Sequence, residues 1–160
     1  MDLSPFAIAL LVLNSVSTWF LVGVSWFVQL VHYPLMNRVE SSQFRDWHRM
    51  QTRRAGRLVA LPMGGEAVTA VLMVWYPPLA NPPLVLIGLG LVFLIWMTTV
   101  FVLAPCHGEL LRGFQPVIHH RLVIVHWFRT VAWTLRGFLV AWFVWSALMN
   151  TSMDALMNQR

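Results

Sequence analysis

Four long apolar stretches constrain this chain more than any motif does: Pro5 to Val31, Leu58 to Tyr76, Leu84 to Ala104 and Val117 to Met149. A helix rising 1.5 Å per residue needs about 20 apolar residues to cross roughly 30 Å of hydrocarbon, and each stretch reaches or approaches that length. The composition agrees: of 160 residues, 58% are hydrophobic and 11% charged, outside the soluble globular range. The expected fold is therefore all-α, a polytopic membrane four-helix bundle forming one integral membrane domain over residues 1–160. The first stretch has no basic residue before it and no small-residue cleavage site after it, so it reads as a retained span rather than a signal peptide.

All the basic residues other than histidine are arginines, and their placement sets the expected orientation. Arg38, Arg45, Arg49, Arg53, Arg54 and Arg57 lie between the first two stretches, Arg112 and Arg121 lie between the last two, and "PPLANPP" between the second and third has no charge. By the positive-inside rule the arginine-rich loops face the cytoplasm and both termini are extracytoplasmic. The net charge of +5 is thereby a matter of membrane topology and gives no reason to expect nucleic-acid binding. The segment "SSQFRDWHRMQTRRAG" in the first loop suits a short amphipathic helix on the inner membrane face, capped by Ser41 or Ser42, with Phe44, Trp47 and Met50 as its apolar edge. Pro116 suits the first turn of the fourth helix, and "LPMGGE" suggests a distorted second span. The single cysteine, Cys106, excludes an intramolecular disulfide.

Polar residues within the spans fall on faces. His119, His126, Arg129, Trp133 and Arg136 are separated by seven, three, four and three positions, a helical stripe along the fourth span. Asn14, Thr18, Ser25, Gln29 and His32 form a similar stripe on the first. A charge in hydrocarbon costs at least about 2.5 kcal/mol, so the two stripes are expected to face each other inside the bundle. Asn14, Thr18, Ser25 and Gln29 read as interhelical hydrogen-bonders. Glu66, about 12 Å into the second span by the helical rise, is the expected ion-pair partner of Arg129. Arg136, near the outer end of its helix, has a route to water by snorkelling. His119 and His120 are expected at the membrane surface. His48 is expected to be solvated, with a cover over the site as its alternative.

His32, His107, His126 and Glu66 bring an ionisable group from each helix to one half of the bundle, and three chemistries compete for them. A di-iron carboxylate site needs about four Glu, and Glu66 is the one carboxylate within a span. A mononuclear iron or copper site drawn from those four residues matches a His/carboxylate ligand set. A b-type haem on one or two of the histidines, with arginines toward its propionates and Trp133 in the wall, is the alternative. In either case Arg129 and Glu66 are the candidate catalytic residues, with His48 and Arg136 as further members. Two function classes follow: an oxidoreductase or oxygenase acting on a lipophilic aromatic or quinone-like molecule, or an accessory subunit packing against partner membrane subunits.

The order "HYPLM", "F-x-x-W-H", "P-M-x-x-E", "P-x-H-x-x-L" and "W-x-R-T-x-x-W-T-x-R" resembles a family of small bacterial four-helix membrane proteins of unknown function, over nearly the whole chain. In size and helix layout the chain is more distantly similar to the anthrone oxygenase-like membrane proteins. The resemblance implies a bacterial inner membrane location, and the second similarity implies oxidation of hydrophobic aromatic molecules by oxygen. The matching positions are His32, His48, Glu66, His107, Trp127, Arg129, Trp133 and Arg136. The chain departs from the pattern at Gln51 and His126, where the pattern has His and Asn.

Overall fold

A computed structural model describes residues 4–77 and 81–157 as four long helices, α1 (Pro5–Met36), α2 (Ser41–Trp75), α3 (Pro82–Leu110) and α4 (Pro116–Met157), with no strand among the described residues. Each is long and apolar enough to cross a membrane, as a multi-pass membrane protein requires. The outer surface is apolar: Leu61, Phe101 and Phe128 are 84%, 68% and 69% exposed. Lipid is their natural solvent, so polar side chains can be drawn into the interior without a hydrophobic penalty outside.

Local signals account for the helix ends. Ser4 Oγ accepts the Ala7 amide at 3.1 Å, Pro5 fills the first turn of α1, and Pro116 opens α4 as expected. Gly113, with φ of +139°, makes the tight turn between α3 and α4, a conformation that a side chain would strain.

Two prolines shape the interior. Pro34 and Pro105 cannot donate to the carbonyls four residues earlier, and their rings would press on them. In both helices the turn just before the proline widens to π geometry, at Val28–His32 and Thr99–Leu103. The amides of Tyr33 and Ala104 then reach back five residues, to Val28 and Thr99. Helix α1 thus runs past Val31 to Met36, and α3 past Ala104 to Leu110. Pro62, by contrast, sits within an unbroken α2, so the distortions lie in the first and third spans and not at "LPMGGE".

The amphipathic segment is helical but not separate: α2 is continuous from Ser41 to Trp75. Glu40 occupies its cap position without a side-chain bond to the backbone, because the Ser42 hydroxyl donates to the Glu40 carboxylate instead, at 2.8 Å. Phe44 is fully buried with Tyr33, Met36 and Leu110, Trp47 is half-buried, and Met50 is exposed. The first turns of α2 therefore pack on the arginine-rich end of the bundle.

Candidate functional site

The polar stripes of α1 and α4 do face each other. Ser25 and Thr130 share a hydrogen bond of 2.8 Å, and Gln29 Oε1 lies 2.8 Å from His126 Nδ1. Beyond that shared seam, the polar interior separates into two centres at different depths.

The deeper centre is built on Glu66, which is 1% exposed. Its partner is Arg136, not Arg129: Arg136 Nε donates to Glu66 Oε1 at 2.9 Å. Thr18 donates to the same oxygen at 2.8 Å, and Trp133 Nε1 donates to Oε2 at 3.1 Å. The other two guanidinium nitrogens donate to the Gly88 carbonyl at 2.7 Å and to Asn14 Oδ1 at 3.0 Å. Asn14 Nδ2 closes the ring on Thr69 Oγ1 at 2.8 Å. Arg136 is 2% exposed, so it does not snorkel; its charge is met by a carboxylate and neutral acceptors from the other three helices. Every helix contributes an atom to this knot, and each charged atom that converges there has a partner. Its chemistry is that of a clamp. Substituting Trp133 by Phe removes one donor to Glu66, and a loss of about 1–3 kcal/mol is the expected result in a denaturation series.

The second centre, toward the arginine-rich end, is a cavity of about 470 Å3. Its walls are mostly apolar, and His32, Tyr33, Gln51, His107, His126, Arg129 and Trp133 border it. Both π turns contribute to its lining, through Val28 and His32 and through Thr99 and Leu103. The Thr130 hydroxyl donates to the His126 carbonyl at 2.9 Å, and in the tautomer that gives the Nδ1 proton to Gln29 Oε1 the acceptor nitrogen is Nε2. The Tyr33 ring stands edge-on to this imidazole, 4.9 Å between centroids.

Arg129 borders the same cavity without a carboxylate partner. Its guanidinium lies 4.2 Å from the Trp133 ring centroid and donates to the Met63 sulfur at 3.6 Å, while Nε is buried without a hydrogen-bond partner. His48 is fully buried, not solvated; its ring stacks on His107 at 5.3 Å, with Nε2 3.5 Å from His107 Nδ1. It reaches the cavity only through His107 and does not itself border it. His32 stacks on Trp47 at 5.5 Å, and its Nε2 is also without a partner. His119 is buried against the Tyr33 carbonyl at 3.2 Å, whereas His120 is exposed at the surface. Trp127 faces outward, edge-on to Trp26.

These positions correct the expected metal set. Among the described residues no group of three or more His, Cys, Asp or Glu is placed to hold a metal ion. Glu66 is committed to Arg136 and is no partner for His32, His107 and His126. Arg136, paired with Glu66, is not free to face a haem propionate. Imidazole, guanidinium and indole groups remain around an apolar cavity, and they can bind oxygen atoms and exchange protons. Gln29, Tyr33 and Met63 were not expected as parts of this centre, although Gln29 already stood on the α1 stripe. The Gly88 carbonyl could not be anticipated, because a backbone acceptor carries no side-chain signal. Compared with known proteins, the chain matches no family model, no curated protein and no solved structure.

Proposed function

We propose that the protein is a membrane oxidoreductase that takes a lipophilic aromatic, quinone-like molecule from the bilayer into the cavity, with the arginine-rich end facing the cytoplasm. The observation that carries this reading is the joint presence of the His126 imidazole and of Arg129, whose Nε has no hydrogen-bond partner, at one apolar cavity between the spans. A volume of about 470 Å3 falls in the range of roughly 300–1,000 Å3 that small-molecule sites occupy.

Conversion of a hydroquinone to a quinone releases two electrons and two protons. His126 is the proton acceptor in this account and Arg129 holds a ring oxygen. Dioxygen takes both electrons and, with both protons, leaves as hydrogen peroxide. His107 and His48, in contact with one another, lie between the cavity and the arginine-rich end, and His126 passes its proton on to the peroxide as the second oxygen atom is reduced, so no proton leaves the cavity alone.

Gly56 offers a test that leaves the clamp untouched. It borders the cavity, and a Cβ placed there meets nothing within 4 Å. Gly56→Phe is expected to keep or slightly raise stability, since glycine costs a helix up to about 1 kcal/mol. It is also expected to weaken binding of an alkylated naphthoquinone at least about tenfold, followed by quenching of tryptophan fluorescence. Binding unchanged in this variant would place the ligand elsewhere. A wild-type protein that binds no such quinone would favour the accessory-subunit reading.

A further inference from the structure

We infer that the cavity takes its ligand as an anion, with Arg129 as the counter-ion; this rests on the cavity being the ligand site. Within the spans the described charges do not cancel. Glu66 is consumed by Arg136 in a closed pair, and Glu40, Asp46 and Glu109 are exposed. Arg129, about 20 Å along α4 from Pro116, is left without an ion pair of its own, with Glu66 acting on it only at a distance. Arginine does not shed its proton to escape this position.

The neighbours of Arg129 are an indole face and a thioether, both attractive to a cation and neither able to neutralise it. Nε stays buried and unpartnered in the free protein. A half-buried charge held among apolar walls is costly until an opposite charge arrives, so the site gains most from a ligand that brings one. The guanidinium fork favours two adjacent oxygens, and the surrounding walls favour an apolar body. An ionised hydroxyl beside a ring carbonyl, as in an acidic hydroxyquinone, supplies both; a carboxylate on an alkyl chain supplies the oxygens alone.

The test compares 2-hydroxy-3-alkyl-1,4-naphthoquinone, ionised at neutral pH, with its neutral 2-methoxy ether, and adds oleate as a non-aromatic anion. Binding is measured to the full-length protein in phosphatidylcholine nanodiscs. The hydroxyquinone is expected to bind at least about tenfold tighter than the ether. In Arg129→Gln that preference disappears, the hydroxyquinone losing more affinity than the ether, and Arg129→Lys restores part of it because charge returns without the fork. Equal affinities for the two quinones in the wild type, or an unchanged preference in Arg129→Gln, would overturn the inference and leave the aromatic site standing. Oleate binding without either quinone would support the anion and reject the aromatic molecule. Phosphatidylglycerol added to the nanodiscs separates the remaining source: displacement of the hydroxyquinone assigns the anion to a lipid headgroup and overturns the aromatic assignment, and unchanged affinity supports it. Thermal unfolding of Arg129→Gln close to that of the wild type shows that the lost preference is not a folding defect.

Discussion

Arg136→Met is expected to lower the stability of the folded bundle by about 3–5 kcal/mol, the range for stranding one partner of a buried ion pair. The guanidinium contributes one hydrogen bond to a carboxylate and two to neutral acceptors, all three buried. Its removal leaves Glu66 charged, 1% exposed and dependent on Thr18 and Trp133 alone. Glu66→Gln strands the arginine in the same way. The double variant should lose less than the sum of the two, because no unpaired charge remains, and the difference is the coupling. The same cycle run on Glu66 and Arg129 should give a smaller coupling than the Glu66–Arg136 cycle, since the two meet only through Trp133 and make no direct bond. Additivity between Glu66 and Arg136 would refute the pairing.

Gly88→Ala should have the next largest effect, although it adds one methyl group. A Cβ at Gly88 would lie 3.0 Å from the nearer Arg136 terminal nitrogen and 3.3 Å from Leu139 Cδ2. That nitrogen donates to the Gly88 carbonyl at 2.7 Å, so the approach of α3 to α4 depends on the missing side chain. The guanidinium must move, which disturbs its other two bonds, and a loss of about 1–3 kcal/mol is the expected cost of such overpacking. The midpoint of thermal unfolding reports it, with Gly90→Ala as the control, because a Cβ there meets nothing within 4 Å. Equal behaviour of the two variants would show that α3 is not held at Gly88.

The bundle and its inward faces were legible because membrane length and helical spacing are strong local rules. Asn14, Thr18, Ser25 and Gln29 are buried hydrogen-bonders, as their spacing on α1 indicated. The ion pair was misassigned for a reason of register. Arg129 and Arg136 share one face and differ by about 10 Å along α4. Which of them meets Glu66 depends on how far α2 slides against α4, and the sequence of either helix alone contains no such information. Treating residues 41–56 as a separate surface helix also hid the reach of α2, whose first turns bury Phe44 and His48 at the arginine-rich end. The π turns were not legible in the apolar runs, which fade at Val31 and Ala104, whereas each helix continues past its proline by one bond to the fifth residue back.

Two arginines on one helix face thus have opposite circumstances: Arg136 is satisfied by the protein, and Arg129 awaits a partner the protein does not supply. The direct comparison is the unfolding of Arg136→Met and Arg129→Met, side by side in ligand-free nanodiscs. Arg136→Met should fall by several kcal/mol, whereas Arg129→Met should stay close to the wild type, because removing a half-buried charge that has no ion pair strands nothing. Equal losses from the two substitutions would contradict the division of the interior into a clamp and a ligand site.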